Sequence, residues 1–476
     1  MSAGGAAIRP HLASDLAAAV ARATRQASRS GRPQWVSGSL HVAGCDGLAL
    51  FSLPDAAERF FWERPSEACQ IAARGVAHAI ETRGPSRFAD AARAARELAG
   101  DFHLVAGQDG AEAQPFLVGG FAFGDERPEA QEWAAFPPGR LVLPELLVTR
   151  QGGGSRCSVT RRIEPGAEAP REIALLREQL ETARRALEGA PLAAQRPDSQ
   201  APEFHAAAYA PPALYRAGVE QALRSIAAGD LEKVVLARAV RLASRAGFPV
   251  ESILDTLRRV HPSCASFAVA RPGTTFLGAA PERLLRLDGS RVETAALAGS
   301  ARRGRNPEED ARLARDLCES KKEQAEHAVV VRALREALGE ACEEIAVPEA
   351  PRLLRLEGIQ HLETPLVGTL RGEASVLELA GRLHPTPAVA GAPQQAALAW
   401  IAQREELERG WYAGAIGFVR HDGGGEFCVA LRSALLRGET AHVFAGAGIV
   451  AGSDPDTELR ETRLKLRTML GALVEL

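Results

Sequence analysis

Two acidic pairs stand at helical spacing in this chain: Glu323 and Glu326 in KKEQAEH, and Glu458 and Glu461 in TELRET. Residues three apart share a helix face, so each pair presents two carboxylates together. Four carboxylates facing one space would suit magnesium, a hard cation that takes a few carboxylates, several waters and a substrate oxygen. An isolated ExxE is far more often a solvated helix face. Here Lys465 follows Glu461 by four residues, one turn away on the same face.

Lysine is scarce. The 57 basic residues include only Lys233, Lys321, Lys322 and Lys465. Arginine stays protonated, whereas lysine serves as a base when its pKa is lowered, so a surviving lysine can mark a place where arginine fails. That reading suits Lys233 and Lys465. Lys321 and Lys322, side by side on a polar helix, read as chance survivors on the surface. Glu282 sits in LGAAPERLL at a Pro-fixed turn between two strands. There a carboxyl can be desolvated and its pKa raised toward a general acid's range. A turn carboxylate paired with Arg283 accounts for it equally well. LAGSARRG puts Gly299 and Ser300 after an apolar strand. Their N–H groups could hold a carboxylate, or the segment is an ordinary strand-ending turn.

Hydrophobic residues make up 46% and charged residues 25%, as in soluble globular chains. The net charge of -3 offers no bulk attraction to nucleic acid or an anionic membrane. The seven cysteines form no CxxC or zinc-type cluster, which fits free thiols in a reducing, cytoplasmic setting. Gly446-x-Gly448 lies near the dinucleotide-binding pattern, but no second strand can follow it, and no phosphate-loop, zincin, serine-hydrolase or deaminase motif occurs.

Residues 1–34, rich in Ala and Arg, faintly resemble a transit peptide; an amphipathic first helix is the more economical reading. Residues 35–188 mix short strands and helices, 189–212 read as a linker or loop, and 213–476 form a second region. Strands are expected at 116–124, 140–148, 233–243, across 266–289, and at 354–369, 413–421, 426–435 and 441–450. Helices are expected at 172–187, 214–228, 307–339, 375–383, 393–408 and 456–473. Strand clusters alternate with helices without a βαβ rhythm, which predicts an α+β fold with large mixed or antiparallel sheets flanked by helices.

Taken together, DLEKVVLAR (230–238), LGAAPERLL (277–285), LAGSARR (297–303), IQHLETPLVG (359–368), LHPTPAVAG (383–391), YAGAIGF (412–418), FAGAGIV (444–450) and ELRETRLKLRTML (458–470) resemble the chorismate-utilising enzymes. The match covers about residues 213–476 and implies the fold of anthranilate synthase component I. It implies Lys233 as the base that activates water and Glu282 as the acid that protonates the departing C4 hydroxyl. It also implies Glu326 and Glu461 as magnesium ligands, with Glu323 and Glu458 acting through water. Arg432, Tyr412, Lys465 and the Gly299 and Gly446 backbone would hold the substrate's carboxylates, with Ser300 and His361 in the same pocket.

The attacking group distinguishes members of the family. Aminodeoxychorismate synthases resemble PIKGT where this chain has Ala298, so no protein amine is present to attack. Anthranilate synthase subunits resemble AGTRPRG with an upstream LLES; here the segment is AGSARRG and LLES is absent. Salicylate synthases usually carry Thr at Ala388. The resemblance is therefore closest to isochorismate synthase, which adds water at C2 as hydroxyl leaves C4 and needs no partner subunit, so a monomer is expected. Salicylate synthase, an amidotransferase-coupled subunit and an inactive carboxylate-binding relative are the alternatives.

Overall fold

The computed structural model describes residues 10–474 apart from 43, 53–56, 106–114, 153 and 189–202. Most of the expected linker thus lies outside the described residues. Among those described, the strands form one sheet of 13 and one of 10, and the expected α+β architecture is present.

Alternation along the strands gives each sheet two apolar faces. In Arg59–Arg64, Phe60 and Trp62 join the largest core cluster, while Phe61 turns to a second cluster with Leu254, Leu257 and Met469. In Thr440–Ile449, Phe444 joins the first cluster and Val443 and Ala445 the second. Aromatic edges tie the layers together: Trp62 meets Phe418 of the other sheet at 5.3 Å, and Phe276 meets Phe136, in the loop before Gly139–Leu143, at 6.3 Å between ring centroids. Helices Pro212–Ala227, Val250–Val260 and Pro455–Val474 pack on the larger sheet, and Lys321–Gly339 and Val376–Leu383 on the smaller. No helix among the described residues is long and apolar enough to cross a membrane.

Both sheets mix strands from the two halves of the chain. The larger joins them where Arg59–Arg64 pairs antiparallel with Ala265–Arg271, the smaller where Pro115–Phe121 pairs with Ala415–Arg420. The N-terminal segment contributes helix Pro10–Ser30, whose Leu16, Ala19, Val20 and Ala23 pack with Leu176 and Leu180 of helix Ala169–Glu188.

Five expected elements are divided. Of these, 354–369 becomes Arg352–Arg355 and Ile359–Leu370, and 426–435 becomes Gly425–Val429 and Ser433–Arg437, the latter two in different sheets. The strand at 140–148 is two strands, Gly139–Leu143 and Leu146–Gln151, in different sheets; Pro144, which has no N–H, stands at the crossing. The 266–289 segment is three strands, the third of which, Arg283–Asp288, has moved to the other sheet. The helix expected over 307–339 breaks at Ser320, whose extended backbone ends Pro307–Glu319 and whose hydroxyl accepts from Glu323 N to start Lys321–Gly339.

Candidate active site

The Lys233–Ser244 and Thr440–Ile449 strands run antiparallel in the larger sheet, with Val235 opposite Gly448 and Ala237 opposite Gly446. Glycine at 446 and 448 leaves a trough over this sheet. A Cβ at Gly448 would come within 2.2 Å of Glu326 Oε1 and 2.9 Å of Lys233 Cε, so only glycine lets the Lys321–Gly339 helix deliver Glu326 here. The smaller sheet supplies the opposite wall through Arg291–Arg302 and Ile359–Leu370, whose register shifts between Ala298 and Ser300. Gly299 takes φ +77° at that bulge, a conformation that costs glycine little. The two walls enclose a cleft of about 700 Å³, part of it open to solvent.

Gly299, Ser300, His361, Ala388, Tyr412, Arg432, Gly446 and Lys465 all line this cleft, as do Glu282 and Glu326. Lys233 lies just behind the lining. Its ammonium is fully buried and stands 2.9 Å from Glu326 Oε1, yet makes no hydrogen bond of good geometry among the described residues. Burial works to raise the Glu326 carboxyl, but Lys233 beside it holds the group below its ordinary value. Glu282 is buried too, and burial pushes it up to about 8 against the pull of Lys233 and Lys465. It does not pair with Arg283, whose guanidinium turns away to Glu426 at 2.9 Å. The turn-carboxylate reading is thereby removed, and Glu282 carries its proton at neutral pH.

At the far end of the cleft, His361 Nε2 accepts from Arg432 Nη2 at 2.7 Å, and its Nδ1 reaches Ser300 Oγ at 3.0 Å and Gly299 O at 3.3 Å. Burial and the Arg432 charge hold His361 well below its ordinary value, so the ring is neutral. Arg432, at φ +47°, keeps Nη1 buried and without a partner among the described residues. A buried unpaired guanidinium N–H is costly unless an anion meets it. Tyr412 is stacked on Phe444 with ring centroids 5.2 Å apart.

The acidic pairs reach the same region, each already matched to lysine. Lys465 Nζ lies 2.7 Å from Glu461 Oε1 and donates to Gly446 O at 3.0 Å. Lys322 bridges the two helices, 2.7 Å from Glu458 Oε1 and 3.2 Å from Glu323 Oε1. Lys322 is therefore not a surface survivor, as its sequence context suggested. Burial together with Glu326 raises Glu323, and burial together with Glu461 raises Glu458, whose Oε2 has no partner among the described residues. One expectation fails in detail: the Ser300 N–H is not free for a ligand, because it donates to Glu323 Oε2 at 3.1 Å. Among the described residues no three acidic, His or Cys side chains converge closely enough to hold an ion.

A half-enclosed cleft between two sheets, with a protonated carboxyl, a buried lysine and an unpaired guanidinium, defines an α+β enzyme built around a small anionic ligand. A family model described as chorismate binding enzyme matches residues 21–474. The chain is 38% identical over 459 residues to the salicylate biosynthesis isochorismate synthase of Pseudomonas aeruginosa, covering 95% of this chain and 93% of that one. It is 34% identical over 454 residues to isochorismate synthase MenF of Bacillus subtilis, covering 92% and 93%. Among solved structures, the menaquinone-specific isochorismate synthase MenF of Escherichia coli superposes with a TM-score of 0.75 at 27% identity, covering 96% of this chain and all of that one. Anthranilate synthase component I of Streptococcus pneumoniae, at 23% identity and TM-score 0.66, shares the fold. The chain belongs to the chorismate-binding enzyme family.

Proposed function

We propose that this enzyme is an isochorismate synthase, acting without a partner subunit in the cytoplasm. The observation that carries the reading is the pairing of a buried, hydrogen-bond-poor Lys233 with a Glu282 that holds its proton at neutral pH, both at one cleft. Moving a hydroxyl from C4 to C2 of chorismate needs both. Water adds at C2 and loses a proton to Lys233, which must stand as the neutral amine for this step, its own proton having passed to solvent beforehand. The ring double bonds shift, the C4–O bond breaks, and the leaving hydroxyl takes the Glu282 proton and departs as water. The Nη1 of Arg432 would pair with one substrate carboxylate, with Tyr412 and Lys465 beside it. Relatives with isochorismate synthase activity in their names match over nearly their whole length, which supports the same reading.

Carboxylates are the donors magnesium takes, and those of Glu323, Glu326, Glu458 and Glu461 stand near enough to act on one another's charge. Glu326 raises Glu323, Glu461 raises Glu458, and a buried Glu458 oxygen has no partner among the described residues, while no three of the four yet converge on one point. Glu326 and Glu461 would hold the ion directly, and Glu323 and Glu458 through water. When bound, the ion would neutralise a substrate carboxylate. Replacing Glu326 or Glu461 by Ala is expected to weaken magnesium binding about ten-fold or more, read by calorimetry on the purified protein. Unchanged affinity in both variants would exclude them as ligands.

The test of the function is the product spectrum of purified protein with chorismate and magnesium. Isochorismate, consumed by added isochorismatase, is expected as the main product. Pyruvate release without any added lyase would instead indicate salicylate synthase. Product formed only with glutamine and an amidotransferase would indicate the anthranilate type.

A further inference from the structure

We infer that Glu426 is a positioning residue that aims Glu282 into the cleft, through an ion-pair chain anchored in the N-terminal half. The inference rests on the reading of Glu282 as the acid. Pro281 and Glu282 carry the chain across from strand Thr274–Ala280 of the larger sheet to strand Arg283–Asp288 of the smaller. Just past the crossing, pairing with Gly425–Val429 shifts register between Arg283 and Leu285. Such irregularities bend a strand and re-aim its side chains. The Glu282 carbonyl is fixed by Val429 N at 3.0 Å, but nothing in that bond decides which way the two side chains at 282 and 283 point.

The decision lies on the far side of the turn. Glu426 is buried and accepts from Arg283 Nε at 2.9 Å and from Arg64 Nη2 at 3.0 Å. Arg64 in turn donates to Ser263 O at 3.0 Å. Glu67 closes the chain, 2.5 Å from Arg283 Nη2 and 3.1 Å from Arg286 Nη1. None of these groups lines the cleft. A carboxylate clamped between two guanidiniums is strongly directional. Its desolvation makes it a poor source of stability, so geometry is the more natural reason for it. With Arg283 held outward, its neighbour Glu282 must face inward.

A double-mutant cycle tests this. Glu426→Gln is expected to lower kcat about ten-fold, because a small misplacement of a reacting group is costly. KM for chorismate should stay within about two-fold, since no substrate contact is lost. In a Glu282→Gln background the same change should lower the residual kcat by less than about two-fold, because Glu426 acts only through Glu282. Glu67→Gln, at the solvent end of the chain, should give a smaller kcat loss of the same kind and serves if Glu426→Gln does not fold. Glu58→Gln, which removes a half-buried partner of Arg140 and Arg271 elsewhere, is the control and should leave kcat unchanged. Losses that multiply with Glu282→Gln, losses that appear in KM, or wild-type kcat in both Glu426→Gln and Glu67→Gln would overturn the inference. Wild-type turnover in Glu282→Gln alone would instead remove the acid assignment on which it rests.

Discussion

Lys233→Ala and Lys233→Arg are both expected to lose turnover by roughly 10²–10⁴-fold while still binding chorismate. The arginine variant is the more informative. It keeps a positive charge beside Glu326, so a purely electrostatic role for Lys233 would be largely preserved. Arginine does not give up its proton in a protein, so a role in proton transfer would not survive. Alanine tests the other side, because it leaves a buried carboxylate without the ammonium 2.9 Å away and opens space in a fully buried position. Steady-state rates with a coupled isochorismatase assay, calorimetric binding of chorismate, and circular dichroism would separate lost chemistry from lost folding. An arginine variant that turns over like wild type would end the assignment of Lys233 as base.

Glu282→Gln is expected to abolish turnover to a similar extent and to stabilise the folded protein at alkaline pH. Both follow from a carboxyl pushed up to about 8 by burial. As an acid it must be protonated, so wild-type kcat should fall as pH rises through about 8. Glutamine has no proton to give at any pH. The sign for stability is worked from the same values. The folded-state pKa lies above the ordinary 4.5. The contribution of Glu282 to stability is therefore full below about 4.5 and declines until about 8, by about 1.4 kcal/mol per pH unit at most. Glutamine does not titrate, so the stability difference should grow in its favour across that window and level off above it. Denaturation midpoints at pH 5, 7 and 9 would show this. A constant difference would mean that Glu282 ionises as an ordinary carboxyl and is no acid.

The site was more legible than the paths that build it. Lys233, Glu282 and the two ExxE pairs announce themselves by residue type, since lysine among arginines and carboxyls at turns or helical spacing are visible locally. Lys322 was not distinguishable in this way. Its neighbour Lys321 is exposed, and nothing within KKEQ separates the two; only the contact with Glu458, 136 residues on, does so. The helix break at Ser320 did leave a signal, because Ser320 followed by Glu323 has the spacing of a capping box. Pro144 likewise marked the division of 140–148. The occupied Ser300 N–H left none, for its partner Glu323 arrives from another element. Strand positions are written in local alternation, whereas the sheet each strand joins depends on partners hundreds of residues away, as with the Pro115–Phe121 and Ala415–Arg420 pair.

That interleaving has a consequence for how the molecule is made. The edges of Arg59–Arg64 and Pro115–Phe121 leave the ribosome bare, and their partners Ala265–Arg271 and Ala415–Arg420 follow much later. At ordinary elongation speeds of about 5–20 residues per second, the second edge waits roughly 15–60 s for its neighbour to be translated. Throughout that interval the nascent chain carries open hydrogen-bonding ribbons that invite pairing with other chains. Birth of the native state is thus deferred until Ala415–Arg420 has emerged, and neither half can complete its sheets before the other exists.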